Sequence, residues 1–143
     1  VKILDWVEGK CEKLRERGDL AIDLPPVLLP FIGPKDPEWR PRYEEYNQPG
    51  EYHNGGIWPF VVSFYVTAAE ASGQKVLARD KLNTLTHLVK RGVDKSLDFG
   101  FNEWYKAQTG DPSGHDWQTW SASMYIYAVE SVKAGKPLFL PFS

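Results

Sequence analysis

Apolar residues recur at helical spacing in four separate stretches of the chain. The pattern predicts one helix over residues 2–17, which Gly18 stops, and another over 59–72, which Pro59 begins. Two further helices are predicted over 75–95 and 118–134. No strand pattern is longer than a few residues, so the chain is predicted to be mostly α, with long connecting loops.

The helices over 59–72 and 118–134 carry more apolar surface than a helix on the outside of a domain needs. The first is apolar on nearly every face and the second over a wide face. Such helices must be covered on most sides, and four helices can hardly do that for one another. We therefore expect a homo-oligomer, or a partner chain or further helices that complete the fold. The alternative is that a long loop folds back as the cover.

That loop spans residues 19–57, where the periodicity disappears and seven of the eleven prolines lie. Proline removes a backbone donor and blocks helices, so this Pro-rich segment is predicted to be extended or turned. Its apolar residues are too many for a disordered linker, and an unstructured stretch of this length in a compact domain tends to be functional. A second loop, over 98–117, is rich in glycine and aromatic residues.

Composition excludes several classes of function. The 143 residues suit a single domain over 1–143, and the net charge of -2 argues against a nucleic-acid partner.

No apolar stretch reaches the ~18 residues of a membrane span, and no signal-peptide pattern opens the chain. The single cysteine, Cys11, allows no internal disulfide. We expect a cytoplasmic protein. The three histidines show no metal-binding spacing, so neither a metal nor a cofactor is expected.

Residues 52–59 form the first candidate binding cluster, just before the second predicted helix. Two adjacent glycines allow the backbone to approach a ligand closely. A sugar has an apolar face and a rim of hydroxyls, which suits the flanking side chains of Tyr52, His53, Asn54 and Trp58. A tight turn that enters the helix through a hydrophobic staple explains the same residues, and it is the simpler interpretation of the residue types alone.

The second cluster surrounds Glu103 with aromatic residues, among them Trp104 and Tyr105. A carboxylate with apolar neighbours suits acid–base catalysis, although an acid in a loop is more often simply solvated. Asp116, just ahead of the last predicted helix, is more simply its N-terminal cap or dipole partner.

Together these segments resemble the α/α-barrel glycoside hydrolases, especially the neutral and alkaline invertases and the glycogen-debranching amylo-α-1,6-glucosidase relatives. Residues 52–59 (Tyr-His-Asn-Gly-Gly-Ile-Trp-Pro) resemble a signature of these enzymes. Residues 101–105 (Phe-Asn-Glu-Trp-Tyr) resemble their Glu-containing loop, and 118–122 (Gln-Thr-Trp-Ser-Ala) resemble the motif that opens the last barrel helix. The matches lie in family order over roughly 45–132. Residues 114–117 look more like the debranching relatives than the plant invertases.

The resemblance implies a partial α/α barrel, the C-terminal portion of a toroid of six helical hairpins. It also implies an inverting glycosidase that acts on α-glycosidic bonds of an oligosaccharide or α-glucan. One acid in such an enzyme protonates the leaving oxygen, and a carboxylate opposite activates water. The position of this general base falls on Glu103. The implied sugar-binding residues are Tyr52, His53, Asn54, Trp58, Trp104, Tyr105, Trp117, Gln118 and Trp120, and we expect the two clusters to line one concave surface.

The general acid of these enzymes is an Asp well upstream of the 52–59 motif. Only about fifty residues precede that motif here, and Asp5, Asp19, Asp23 and Asp36 lie in no recognisable acid motif. We therefore expect the chain to be inactive alone. Three alternatives stay open: a small subunit that pairs with another chain, a non-enzymatic sugar-binding or structural remnant of the fold, and an invertase-type sucrose hydrolase.

Overall fold

Regular structure in the computed structural model, which describes residues 2–138, consists of five helices and one two-stranded sheet. In chain order these are α1 (Lys2–Glu16), α2 (Tyr43–Tyr46), α3 (Pro59–Ala71), α4 (Lys75–Val89), β1 (Trp104–Tyr105), β2 (Pro112–Ser113) and α5 (Thr119–Ala134). The mostly α class is therefore confirmed. Three of the four predicted helices match to within about a residue, the usual uncertainty of helix ends. No helix of residues 2–138 is both long and apolar enough to cross a membrane.

The end of α4 is the main correction to the predicted elements, because the helix stops at Val89 and not at residue 95. Continuing the helix would require the N–H of Val93 to donate to the carbonyl of Val89. That carbonyl instead accepts the N–H groups of Gly100 and Phe101, at 3.0 and 3.3 Å. The N–H of Val93 donates to the Asp116 carboxylate at 3.0 Å. Bonds to a distant loop have replaced the helical ones.

The same contact corrects the prediction for Asp116. Gln118, not Asp116, is the N-cap residue of α5, and it makes no side-chain capping bond. The Asp116 carboxylate binds the backbone N–H groups of Val93 and Asp94, at 3.0 and 3.2 Å. Asp116 therefore fixes the chain that leaves α4 rather than the start of α5.

Helix α3 lies at the centre of the fold and packs against both α4 and α5. A continuous core joins the buried faces of α1, α3 and α4 to Ile57, Tyr105 and Ala107 of the two loops. The Pro-rich segment contributes Leu20 and Leu24 to this core. Backbone bonds anchor it further, from Ala21 to Ala107 at 2.8 Å and from Val27 to Gly56 at 2.9 Å. The segment is thus ordered against the two loops that hold the candidate site.

Many of the buried residues of α3 and α5 are small or polar, although Val62 and Val66 of α3 are also fully buried. Ser63 and Thr67 of α3 are buried, and their hydroxyls donate to carbonyls one turn earlier, at 2.8 and 2.9 Å. The buried residues of α5 are Ser121, Ala128 and Ser131. Larger apolar side chains point outward instead: Phe64 is 54% exposed, Trp120 47% and Ile126 59%. The Pro-rich segment therefore does not serve as the cover for these side chains.

Candidate active site

The 52–59 motif forms a tight turn that leads into α3. Tyr52 adopts a positive φ of 43° and Gly55 one of 105°. The N–H of Gly56 donates to the carbonyl of Tyr52 at 3.0 Å and closes the turn. Gly56 leaves no room for a side chain, because a Cβ there would lie 2.7 Å from the Tyr52 carbonyl oxygen. The turn proposed from residue types is therefore present, and it carries the aromatic side chains of the motif.

These aromatic rings form one connected group. The rings of His53 and Trp58 are stacked, with centroids 5.0 Å apart and planes 7° apart. Tyr52 lies 5.4 Å from Trp58 and 6.0 Å from Trp104, measured between ring centroids. Trp58 is only 6% exposed, and its indole N–H donates to the Tyr52 carbonyl at 3.0 Å. His53 covers Trp58, so the ring of His53 is the more accessible of the two.

Hydrogen bonds join the turn to the loop that carries Glu103. The N–H of Ile57 donates to the carbonyl of Tyr105, and the N–H of Tyr105 donates to that of Ile57, both at 2.8 Å. The ring of Trp104 lies against Gly56, where an added Cβ would be 3.1 Å from it. The two clusters that lie about fifty residues apart in the sequence are therefore direct neighbours in the fold.

Glu103 immediately precedes β1, which pairs antiparallel with β2, Trp104 opposite Ser113. Its N–H donates to the carbonyl of His115 at 3.0 Å, and the N–H of Gln118 donates to the carbonyl of Phe101 at 3.0 Å. The backbone around the carboxylate is thus fixed on both sides. Glu103 is half-buried, and within residues 2–138 no group pairs with its carboxylate. It is therefore free to accept a hydrogen bond from a ligand or from water.

Tyr105 is fully buried, whereas a side chain that binds a sugar is expected to be accessible. Its hydroxyl donates to the carbonyl of Arg91 at 3.2 Å and accepts the N–H of Asn102 at 3.3 Å. Burial raises the pKa of Tyr105, so the hydroxyl stays protonated as a donor. The carbonyl of Asn102 accepts the hydroxyl of Ser121 at 3.2 Å. Tyr105 therefore links the Glu103 loop to the chain that leaves α4.

Asn54 is also buried, at 5% exposed, and its amide holds the Pro-rich segment. Its Oδ1 accepts the N–H of Ile32 at 2.8 Å, and its Nδ2 donates to the carbonyls of Ile32 and Asn47 at 2.7 and 2.9 Å. The three remaining predicted residues follow the Glu103 loop: Trp117 is 68% exposed, Trp120 is 47% exposed and Gln118 is half-buried. Contact of these residues with a sugar stays a prediction.

A cleft of about 180 Å³ opens beside the turn. His53 and Asn54 line one side, and the Pro-rich segment supplies the other side through Leu28, Ile32, Tyr43 and Asn47. Sequence reasoning did not single out these four residues, because a segment without periodicity gives no indication of which side chains turn inward.

Comparison with known proteins shows the family of the chain. The family described as the mannosylglycerate hydrolase MGH1-like glycoside hydrolase domain matches residues 12–121, and the chain belongs to this family. The resemblance to α/α-barrel glycoside hydrolases drawn from the sequence is thereby confirmed.

Individual relatives are similar to this chain over most of its length. Cytosolic invertase 1 of Oryza sativa subsp. japonica is 28% identical over 135 residues, which are 88% of this chain and 21% of the rice protein. Glucosylglycerate hydrolase of Mycolicibacterium hassiacum is 29% identical over 104 residues, 73% of this chain and 20% of that protein. A probable alkaline/neutral invertase F of Arabidopsis thaliana is 25% identical over 135 residues, 88% of this chain and 23% of that protein. The chain thus spans about a fifth of the length of the curated relatives it matches.

Proposed function

We propose that this chain forms the C-terminal part of the catalytic domain of an inverting glycoside hydrolase and supplies its general base, Glu103. The observation that carries the proposal is the unpaired Glu103 carboxylate, held beside the aromatic turn by the two bonds between Ile57 and Tyr105. A base that activates water must keep a lone pair free for that water. The neighbouring rings of Tyr52, His53 and Trp104 suit the apolar face of a sugar.

Inversion needs a second carboxyl group, roughly 6.5–9.5 Å from the first, to protonate the leaving oxygen. The three aspartates of the Pro-rich segment, and Glu51 next to the turn, each contact a neighbour. Asp23 and Glu51 pair with Lys81 and Lys106, both at 2.7 Å. Asp19 pairs with Arg17 at 3.0 Å, and Asp36 accepts the N–H of Gly33 at 2.6 Å. These contacts support our proposal that the general acid comes from outside this chain and that the chain alone is inactive.

A helical partner fits the outer faces of α3 and α5. An apolar groove of about 380 Å³ runs between these helices, with Phe64 and Ala68 on one side and Met124 and Tyr127 on the other. Edge-to-face contacts lead from it to the turn, with ring centroids 6.3 Å apart for Phe64 and Phe60 and 6.0 Å for Phe60 and Trp58. A helix in this groove would therefore end near the candidate site, where a second carboxylate is needed. Further barrel helices, from more chain or from a partner chain, are our proposed occupant, with a second copy as the alternative.

The names of the relatives guide the choice of substrates. Two are invertases and one is a glucosylglycerate hydrolase, which favours a short glycoside as much as the branched α-glucan that the sequence suggests. We propose α-glycosidic bonds as the target and keep debranching and sucrose hydrolysis as competing specificities. The rice relative is named a cytosolic enzyme, in keeping with the cytoplasmic location expected for this chain.

The experiment measures sugar release from sucrose, trehalose, glucosylglycerate, mannosylglycerate and a branched α-glucan. The chain is assayed alone and together with the product of the adjoining gene, and light scattering gives its size in each case. We expect turnover only in the complex. Glu103→Gln should lower kcat there by about 10²–10⁴-fold, because that is the usual contribution of a general base. Glu130→Gln is the control, since that carboxylate is exposed near the end of α5 and pairs with Lys133.

Two outcomes would contradict the proposal. Hydrolysis by the chain alone at the rate of the complex would show that the general acid lies within these 143 residues. Full activity of Glu103→Gln in the complex would exclude Glu103 as the base. Sugar binding by the chain without hydrolysis in any combination would favour the non-enzymatic alternative.

A further inference from the structure

We infer that Gly114 is a positioning residue for Glu103, because the absence of a side chain at Gly114 makes room for the carboxylate. The inference rests on the proposed function only in the role it gives to that carboxylate. Pairing of Trp104 with Ser113 and of Tyr105 with Pro112 sets the register of the small sheet. Gly114 follows directly after β2 and lies across from Glu103, at the point where the regular pairing ends and the N–H of Glu103 donates to the carbonyl of His115 at 3.0 Å.

The space at this position is already filled by the Glu103 side chain. A Cβ built on Gly114 would lie 2.5 Å from Glu103 Oε2, 2.7 Å from Glu103 Cβ and 3.2 Å from Trp104 Cδ1. Directly opposed residues of an antiparallel pair normally keep their Cβ atoms about 4.5–5.5 Å apart. The carboxylate therefore extends across the Cα of Gly114, and any side chain there would displace it.

Backbone conformation alone does not explain a glycine here. Gly114 has a φ of +71°, a region that favours glycine for its own sake. Gly73, with a φ of +77°, and Gly18, with +79°, share that conformation, but nothing lies within 4 Å of a Cβ built on either. Alanine at Gly73 therefore adds conformational strain alone, whereas alanine at Gly114 adds the same strain and a collision with Glu103.

The collision bears on catalysis because steric contact is what holds this carboxylate in place. No hydrogen bond or ion pair to it exists within residues 2–138. Its position follows from the fixed backbone, the edge of Trp104 and the surface of Gly114. Displacing a reacting group by about 1 Å can cost on the order of 10²-fold in rate. Gly114→Ala should therefore lower kcat of the active complex by about 10–100-fold. KM should stay within about twofold, because the added methyl group displaces Glu103 much more than the Trp104 ring, which has to move by only a few tenths of an ångström.

The first test is a thermal-unfolding cycle on the 143-residue chain, which needs no activity. Gly114→Ala should lower Tm by several degrees more than Gly73→Ala. In a Glu103→Gly background, where both colliding atoms are gone, the loss from Gly114→Ala should shrink to that of Gly73→Ala. If Gly114→Ala alone does not fold, the double variant should. Equal losses in both backgrounds, or a double variant that also fails to fold, would overturn the inference.

The second test locates the side chain by NMR. With ¹³C-labelled glutamate, the Glu103 methylene protons should show a nuclear Overhauser effect to the Gly114 Hα protons, and Gly114→Ala should shift the Glu103 carboxyl resonance. Gly73→Ala should leave that resonance unchanged. A missing Overhauser contact, or an unmoved resonance in Gly114→Ala, would refute the positioning role whatever Glu103 does. Full activity of Glu103→Gln would instead refute the proposed function and leave the measured contact intact.

Discussion

Lys81 is a buried cation that joins four parts of the fold, so its removal should destabilise the chain. Its side chain, in α4, is 3% exposed, and its Nζ lies 2.8 Å from Glu8 Oε2 and 2.7 Å from Asp23 Oδ1. Glu8 belongs to α1 and Asp23 to the Pro-rich segment. The hydroxyl of Tyr65, in α3, donates to the other oxygen of Glu8 at 2.7 Å. One ammonium group therefore links α1, the Pro-rich segment, α3 and α4.

Lys81→Met keeps most of the side-chain volume and removes the charge. The size of the effect depends on the contacts that are lost and on the surroundings of the two carboxylates that remain. The variant loses the charge-assisted hydrogen bond to Asp23 Oδ1, worth about 1.5–3 kcal/mol when intact. It also loses a longer bond to the Asp23 carbonyl, at 3.3 Å, and the ion pair with Glu8. The carboxylates left behind are not fully buried, since the side chain of Glu8 is 28% exposed and that of Asp23 50%. Asp23 also keeps Arg15 as a partner. The cost should therefore fall below the 3–5 kcal/mol of a fully buried pair. We expect about 2 kcal/mol, or a Tm lower by roughly 8 °C.

Circular dichroism at 222 nm during heating measures the change, and Lys133→Met is the matched control. Lys133 lies 2.8 Å from Glu130, as Lys81 does from Glu8, but its side chain is 67% exposed. Solvent-exposed pairs contribute about 0–1 kcal/mol, so the control should shift Tm by less than about 4 °C. Equal shifts for the two variants would refute the argument that burial makes the Lys81 contacts strong.

Two further predictions concern the core and the Pro-rich segment. Burial, reinforced by the Glu8 carboxylate, raises the pKa of the Cys11 thiol from 9.0 to about 11, so at pH 8 it should react with a disulfide reagent about 100-fold more slowly than in the unfolded chain. The unfolded chain loses that proton first, so stability should fall as the pH rises above about 9, and a denaturation midpoint that stays constant from pH 8 to pH 10.5 would contradict this. Asn54→Ala removes three hydrogen bonds to Ile32 and Asn47 of the Pro-rich segment and should speed tryptic cleavage at Lys35 or Arg42 without loss of helix. Asn83→Ala, on the exposed face of α4, should not, and equal cleavage of both variants would remove Asn54 as the anchor.

Sequence periodicity predicted the helices wherever the buried residues recur at regular helical spacing. It failed at the end of α4, because the bonds that stop the helix come from Gly100, Phe101 and Asp116. A local pattern cannot show that the carbonyl of Val89 will find N–H donors more than ten residues away. The one-turn helix α2 has the same origin, since it lies in a segment whose order depends on bonds such as that from Asn54 to Asn47.

The candidate site, like the helices, could be predicted from the sequence only in part. Resemblance brought Glu103 and the 52–59 motif together, and the paired bonds of Ile57 and Tyr105 make them neighbours. Resemblance could not tell which motif residues face outward, and Tyr105 and Asn54 are buried. Alternation along a strand normally separates the two faces, but β1 has two residues and Phe101 and Trp117 beside it have positive φ. The sequence around β1 therefore has no alternating pattern from which the burial of Tyr105 could be predicted.

The contact between α3 and α5 also explains why these helices looked too apolar for a four-helix fold. Small residues at a helix contact allow two backbones to approach closely, and here Ser63, Ser121 and Ala128 lie on the buried faces. The larger apolar side chains are then left for the opposite faces, where Phe64 and Trp120 are about half exposed. Monomers rarely leave a contiguous apolar surface bare. A pair of helices packed through its small residues, with its large ones outward, has the pattern of a middle layer. This pattern supports our proposal that further helices cover the outer faces of α3 and α5.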